Sequence, residues 1–162
     1  MRFRHDYLAR RPACVPQLAA WHYAEWRQLY AGWTPAIVAE ELLAHRACAA
    51  IPTTLVALAG DEPVGSVSLL AEDGLAGFED CSPWLASVYV DVPFRGRGIG
   101  ARLVRRVMAL ARALHVPRLH LFTPGQEAFY AALGWRSFAP ATAEGRAVTV
   151  MIWEPRGRVS RA

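Results

Sequence analysis

The residues with the clearest chemical potential form a glycine-rich turn, Arg95-Gly96-Arg97-Gly98-Ile99-Gly100-Ala101. A β-branched segment and a proline precede the turn, and an amphipathic segment follows it at once, which predicts a strand, a tight turn and a helix N-terminus. The free backbone N–H groups of a helix N-terminus, supported by the helix dipole, bind anions such as phosphate. Arginine adds bidentate contacts to phosphate oxygens. The turn therefore predicts a ligand that carries phosphate.

Other interpretations of this turn agree less well with the sequence around it. Gly96, Gly98 and Ala101 match the dinucleotide fingerprint of a Rossmann fold, but no acidic residue follows in "RLHLFTPGQ", where one is needed to hold the ribose. Nucleic-acid binding is disfavoured because most arginines are scattered and no aromatic-basic RNA motif occurs. A purely structural turn remains the simplest alternative.

Acidic and aromatic residues form two further groups. The predicted loop from Glu72 to Pro83 contains four of the chain's 14 acids, Glu72, Asp73, Glu79 and Asp80. Such a loop is either solvated surface or a source of proton acceptors and of attraction for a cation. Upstream, His22, Trp26 and Tyr30 recur at spacings of four, which predicts one helix face that either packs in the core or binds a cation through its rings.

Composition narrows the class of protein. The 162 residues are 54% hydrophobic and 20% charged, which predicts a single globular domain, assigned here to residues 1–155 with a frayed tail at 156–162. All 18 basic residues are arginine, so a Walker loop or a Schiff-base lysine is excluded. The three cysteines lack metal-ligand spacing, so we expect reduced thiols and no metal. Neither a membrane-length apolar run nor a signal-peptide core occurs in the sequence, which favours the cytoplasm and no membrane partner.

The elements that must position these residues follow from periodicity. A first strand precedes two helices, the second with Thr34 as N-cap and Pro35 at its first position. "TTLVALA" and "PVGSVSLLA" form a hairpin, and "WLASVYVDV" forms the strand before the glycine turn. From Ile99, apolar residues recur every three or four positions to Leu114, which predicts one buried helix face. A short strand, a short helix over "GQEAFYAAL" and further strands complete a mixed α/β fold.

Two motifs in this order carry a family resemblance. The turn also fits Arg/Gln-x-x-Gly-x-Gly/Ala between a strand and a long helix, and "EAFYAALGW" follows later in the chain. With these motifs the sequence resembles the GCN5-related N-acetyltransferase (GNAT) family over almost its whole length. The resemblance implies a mixed, mostly antiparallel sheet of about six to seven strands, flanked by about four helices and splayed between the fourth and fifth strands.

The same resemblance implies acetyl-CoA as co-substrate and assigns residues to it. The CoA pyrophosphate would bind at the turn, on Arg95, Gly96, Arg97, Gly98, Gly100 and Ala101. Main-chain groups near Val88 and Val90 would contact the pantetheine arm, and an N–H near Val90 would polarise the thioester carbonyl. Tyr130 matches the tyrosine that protonates the departing thiolate in many family members; packing in the core is its structural alternative.

For the acceptor we expect a small-molecule primary amine, cationic in its bound form, attacked directly in a ternary complex. Asp80 and Glu72 are the candidate proton acceptors, and His22, Trp26, Tyr30 and Asp80 are the candidate acceptor-binding residues. Two alternatives stay open, a non-catalytic acyl-CoA-binding module and a transferase for protein N-termini. We expect no nucleic-acid partner, and a monomer or a homodimer.

Overall fold

The computed structural model describes residues 2–156, and these residues form one seven-stranded sheet with helices on both faces. The strands are β1 (Phe3–Tyr7), β2 (Thr53–Ala59), β3 (Glu62–Leu70), β4 (Trp84–Val90), β5 (Leu119–Thr123), β6 (Arg136–Ala143) and β7 (Arg146–Trp153). Their order across the sheet is β1-β2-β3-β4-β5-β7-β6, and every neighbouring pair is antiparallel except β4 and β5. The predicted fold class and strand number are confirmed.

Four helices cover the sheet: α1 (Val15–Trp26), α2 (Pro35–Ala44), α3 (Ile99–Ala113) and α4 (Glu127–Ala131). The Thr34 hydroxyl caps α2 by accepting a hydrogen bond from the Ile37 N–H (3.2 Å), as the sequence predicts. The prediction that Tyr30 shares a helical face with His22 and Trp26 is wrong, because α1 ends at Trp26. There the Leu29 N–H bonds to the Trp26 carbonyl (2.8 Å), so the chain tightens into turns.

The core lies on both faces of the sheet, as the continuous burial of β2 requires. Alternate residues of β2 point to opposite faces, so Leu55 and Ala57 join the core under α3, whereas Val56 and Leu58 join the core under α1 and α2. The predicted apolar face of α3 is buried from Ile99 to Val107, and Leu110 and Leu114 are half-buried at its edge. The N-terminus of α3 is thus held rigidly against the sheet.

The sheet splays between β4 and β5, which confirms the predicted place of separation. A single residue pair, Trp84 and His120, stands in register between these strands, and beyond it the edge of β4 that faces β5 has no strand partner. On its other edge β4 carries a bulge, where the register with β3 shifts between Ser66 and Ser68. Ser87 adopts a positive φ of 54° within this bulge, in a region that costs free energy for a residue with a side chain.

The ends of the chain add little to this description. Of the predicted frayed tail, only Arg156 belongs to the described residues; 157–162 lie outside them. Among the described helices, none combines the length and the apolar character that crossing a bilayer requires.

Candidate active site: a cleft and a chamber that share Asp73

A cleft of about 590 Å³ occupies the splayed region of the sheet. Its walls come from the C-terminal half of β4, the end of β5, the start of α3, helix α4 and the end of α1. Of the residues that the sequence assigned to the co-substrate, those lining the cleft are Val88, Val90, Arg95, Gly96, Gly98, Gly100, Ala101 and Tyr130. Folding therefore brings together positions that are up to 42 residues apart in the chain.

The glycine turn presents bare backbone to one end of this cleft. Gly96 and Gly98 have φ values of +73° and +76°, a left-handed conformation that glycine adopts at no steric cost. Gly98 is the N-cap of α3, and no side chain caps the helix, so its first N–H groups are available to a ligand. A Cβ added at Gly96 or Gly98 would meet nothing within 4 Å, which shows open space beside the backbone.

Arginines reinforce this end of the cleft from outside it. Arg97 lines an adjoining depression of about 380 Å³ rather than the cleft, together with Gly98 and three arginines of α3. These are Arg102, Arg105 and Arg106. Within residues 2–156, none of the ion pairs involves any of these four arginines, so their charge is not neutralised by protein carboxylates. The electrostatics favour a polyanion at this end.

Tyr130 projects from α4 into the middle of the cleft. The side chain is only 8% exposed and packs against Phe129 and Trp135, with ring centroids 5.0 and 6.2 Å apart. Burial raises the pKa of the Tyr130 phenol, so the hydroxyl keeps its proton at neutral pH. Tyr130 is therefore both a core residue and a cleft residue, and the two interpretations drawn from the sequence are compatible.

A buried hydrogen-bond chain holds the bulge of β4 in place. His22, 1% exposed on α1, lies with Nε2 2.8 Å from the Ser66 hydroxyl, and this hydroxyl donates a hydrogen bond to the Ser87 carbonyl (3.2 Å). Burial, followed by the charge of His45, lowers the pKa of His22 to about 3, so the ring stays neutral. A neutral, buried imidazole in this position supports the strained backbone next to the cleft.

A second cavity of about 390 Å³, called the acceptor chamber below, lies beside the cleft. It is lined by His22, Trp33, Glu41, His45, Glu72 and residues that also line the cleft. The shared residues are Tyr30, Asp73 and Ser87, so the two cavities meet at one wall. Among residues 2–156, no arginine lines the chamber.

Asp73 contributes the carboxyl group of the shared wall, and the pKa of this group is strongly shifted. Burial raises its pKa to about 7, against the opposing effect of the Tyr30 hydroxyl, which donates a hydrogen bond to Oδ1 (2.8 Å). The charge of Glu41 contributes to the rise, so the two carboxylates sense each other. A carboxyl that titrates near neutrality, between two cavities, is suited to accept a proton during a reaction.

The remaining sequence-predicted residues are dispersed. Glu72 lines the chamber and Trp26 lines the cleft, whereas Asp80 is exposed and lines neither cavity. Glu79 accepts a hydrogen bond from the Gly77 N–H (2.9 Å) within its own loop. The sequence included Asp73 in the acidic loop without singling it out, and it gave no reason to consider Trp33 or Glu41. Only the folded structure distinguishes these three residues, because it brings them together in the lining of the chamber.

The residues of the cleft fit a CoA thioester. Uncapped N–H groups beside open space and unpaired arginines suit the phosphates. The free edge of β4 suits the amide groups of the pantetheine arm, because backbone groups without a strand partner need hydrogen bonds. The bulged region adds N–H groups on the same strand.

Comparison with known proteins agrees with this geometry. The sequence profile of the acetyltransferase (GNAT) family matches residues 17–135. A crystal structure of aminoglycoside 6'-acetyltransferase type Ii is 20% identical and superposes with a TM-score of 0.72, covering 97% of this chain and 100% of that one. An aminoglycoside 6'-N-acetyltransferase complexed with coenzyme A is 18% identical with a TM-score of 0.71, covering 97% and 99% of the two chains.

Two further similar proteins carry the names of other N-acetyltransferases. A ribosomal-protein-alanine N-acetyltransferase from Brucella melitensis is 22% identical, with a TM-score of 0.69 over 96% of this chain and 100% of that one. N-alpha-acetyltransferase 80 of Mus musculus is 48% identical over 54 residues, which are 33% of this chain. The match spans only 17% of that protein's length. Because the family profile matches most of its length, this chain belongs to the acetyltransferase (GNAT) family.

Proposed function

We propose that this protein transfers an acetyl group from acetyl-CoA to the primary amine of a small cationic acceptor, by direct attack in a ternary complex. The single observation that carries the proposal is the common wall of the two cavities. Tyr30, Asp73 and Ser87 line both the cleft that fits a thioester and the chamber, in whose lining the described part of the chain places no arginine. Two substrates bound in these cavities are held side by side, and such proximity supplies much of the rate enhancement.

The chain binds the two ends of acetyl-CoA differently in this proposal. The turn from Arg95 to Ala101 binds the pyrophosphate through backbone N–H groups, with Arg97 adding charge from the adjoining depression. Main-chain groups of Val88 and Val90 hold the pantetheine arm and polarise the carbonyl. When bound, acetyl-CoA supplies an electrophilic thioester carbon.

Asp73 is the proton acceptor. An amine arrives as an ammonium ion and must lose a proton before its lone pair can attack. With a pKa of about 7, Asp73 is ionised in about half of the molecules at neutral pH and accepts that proton from the amine. The new C–N bond then forms as the C–S bond breaks. The nitrogen loses its second proton, which through solvent replaces the proton that Tyr130 gives to the departing thiolate, and Asp73 returns its own proton to solvent.

Tyr130 is the proton donor to the leaving thiolate. Its phenol is protonated at neutral pH, and Tyr130 lines the cleft from α4. The raised pKa makes it a weak acid, so we assign it the smaller part of the catalytic effect.

The other predicted residues take supporting roles. Trp26 and Tyr30 form the aromatic wall next to the acceptor, Glu72 contributes negative charge to the chamber, and His22 supports the bulge through Ser66. Asp80, exposed outside both cavities, attracts a cation over a longer range than contact.

Acetylation of protein N-termini is the second candidate. The 48% identity over 54 residues with N-alpha-acetyltransferase 80 favours it. The volume of the chamber, about 390 Å³, favours the compact amine.

The test is release of CoA thiol from acetyl-CoA with a panel of alkylamines, diamines and short peptides with free N-termini, with the acetylated product identified by mass spectrometry. We expect turnover with small amines and none without an acceptor. Turnover only with peptides would replace the first candidate by the second. Tight acetyl-CoA binding with no turnover on any acceptor would show a binding module instead.

A further inference from the structure

We infer that the acceptor chamber selects an amine that carries a second positive charge, and that Glu41 recognises this second charge. The inference rests on the proposed function and concerns its acceptor class. It comes from a pair of carboxylates held by one aromatic stack: Tyr30 donates to Asp73 and Trp33 donates to Glu41.

The aromatic stack fixes the two carboxylates relative to each other. The rings of Tyr30 and Trp33 lie 4.3 Å apart at an interplanar angle of 19°. The Tyr30 hydroxyl bonds to Asp73 Oδ1 (2.8 Å), and the Trp33 indole N–H bonds to Glu41 Oε1 (3.3 Å). Asp73 borders the cleft, whereas Glu41 lines only the chamber. One carboxylate therefore stands at the reacting end and the other at a distance from it.

Among the described residues, no side chain that is cationic at pH 7 lines the chamber to balance the charges of these carboxylates. The titratable residues that line the chamber are Asp73, Glu41, Glu72, Tyr30, His22 and His45. Burial lowers the pKa of both histidines, so they are neutral at pH 7. Three carboxyls thus face neutral groups and two rings, in a chain whose net charge is +4.

Such a chamber binds a ligand with two cationic groups more favourably than a ligand with one. One ammonium group at Asp73 is the group that loses its proton and becomes acetylated. A second ammonium or guanidinium group at Glu41 replaces water with a charge-assisted hydrogen bond and contacts the faces of aromatic rings. A single amine with an apolar tail leaves Glu41 without a cation and places methylene groups beside it, which costs binding.

The experiment compares terminal diamines with monoamines of equal carbon number, diaminobutane with butylamine and diaminohexane with hexylamine, in wild type, Glu41→Gln and Glu40→Gln. Glu40 is the matched control because both residues are exposed neighbours on α2, whereas Glu40 lines neither cavity. For wild type and Glu40→Gln we expect kcat/KM to be about tenfold or more higher for the diamine. Glu41→Gln should bring that ratio close to one, mainly through loss of kcat/KM for the diamine. The diamine-to-monoamine ratio within each variant is the readout, because the charge of Glu41 also raises the pKa of Asp73.

A binding readout accompanies the kinetics. At equal concentration, diaminobutane should raise the Tm of wild type more than butylamine does, and Glu41→Gln should remove the difference. Equal use of both amines by wild type, or loss of the preference in Glu40→Gln as well, would overturn the inference and leave the proposed function intact. Failure to acetylate any amine would overturn both.

Discussion

The glycine turn and the acceptor chamber differ in charge and in construction. In the proposed function the turn binds phosphate through backbone N–H groups of one continuous segment, with four arginines nearby that make no ion pair among the described residues. The lining of the chamber comes from α1, α2, β3, β4 and the three loops that contain Tyr30, His45 and Asp73, and among the described residues it includes three carboxyls and no arginine. Under this proposal the difference keeps an anionic and a cationic substrate in separate cavities, because each cavity repels the other's ligand.

A bulky side chain at the glycine turn should have the largest effect among the variants that test this comparison, and it should act on acetyl-CoA binding. A Cβ at Gly100 would lie 3.5 Å from Val90 Cγ2 and 3.6 Å from Phe129 Cζ, which is ordinary contact, but an indole would fill the cleft. We therefore expect Gly100→Trp to abolish acetyl-CoA binding in isothermal titration calorimetry. Gly100→Ala should fold and bind. Ala109→Trp, on the exposed side of the same helix, is the control for adding the ring. If a folded Gly100→Trp variant kept the wild-type affinity for acetyl-CoA, the glycine turn would not be part of the binding site.

Tyr130→Phe should have the next largest effect and should act on the chemical step. We expect kcat to fall by about 10²-fold, the lower end for a general acid, because the raised pKa makes this phenol a weak donor. The Kd for acetyl-CoA should change little, since the ring and its packing remain. Tyr23→Phe, outside both cavities, is the matched control. Full kcat in the Phe variant would leave Tyr130 a packing residue only.

Removal of the Ser66 hydroxyl, which supports the bulge of β4, should have a moderate effect on kcat. Ser66→Ala deletes the hydrogen bond to the Ser87 carbonyl and the partner of His22, so we expect kcat to fall by roughly fivefold, the equivalent of about 1 kcal/mol. Ser68→Ala, on the same strand as Ser66, loses the side-chain hydrogen bond with Thr54 of β2 (2.8 Å) and leaves the bond to the Ser87 carbonyl in place. If both variants lose the same activity, the effect is one of stability and the bulge has no special role.

Tyr30→Phe should have the smallest effect and sharpens the electrostatics of the chamber. The Tyr30 hydrogen bond lowers the pKa of Asp73, so its loss should move the pH midpoint of kcat/KM upward and reduce the rate at neutral pH by a factor of about two to five. At high pH, where Asp73 is ionised in both proteins, the rates should converge. A midpoint that stays in place would mean that Tyr30 does not act through Asp73.

The two regions also differ in how far the sequence predicts them. The strand "TTLVALA" coincides with β2, Thr34 caps α2, and the glycine turn begins α3, because each depends on neighbouring residues alone. The chamber depends on residues brought together by folding. Nothing local distinguishes Asp73 from Asp80, since the difference is that folding buries the Asp73 carboxyl and places it beside Tyr30. The helical face through Tyr30 was predicted wrongly because a tightened turn after Trp26 overrides the apparent period.

The role of Asp73 is the central claim, and the pH dependence of kcat/KM tests it most directly, with diaminobutane as acceptor. The raised pKa means that Asp73 is protonated and inactive at low pH, so the wild-type rate should rise with pH and level off above a midpoint near 7. Asp73→Asn should lower the plateau by about 10²- to 10⁴-fold and abolish the inflection, whereas Asp80→Asn should keep the wild-type profile. An Asp73→Asn variant with the wild-type midpoint and rate, or an Asp80→Asn variant without them, would contradict the assignment.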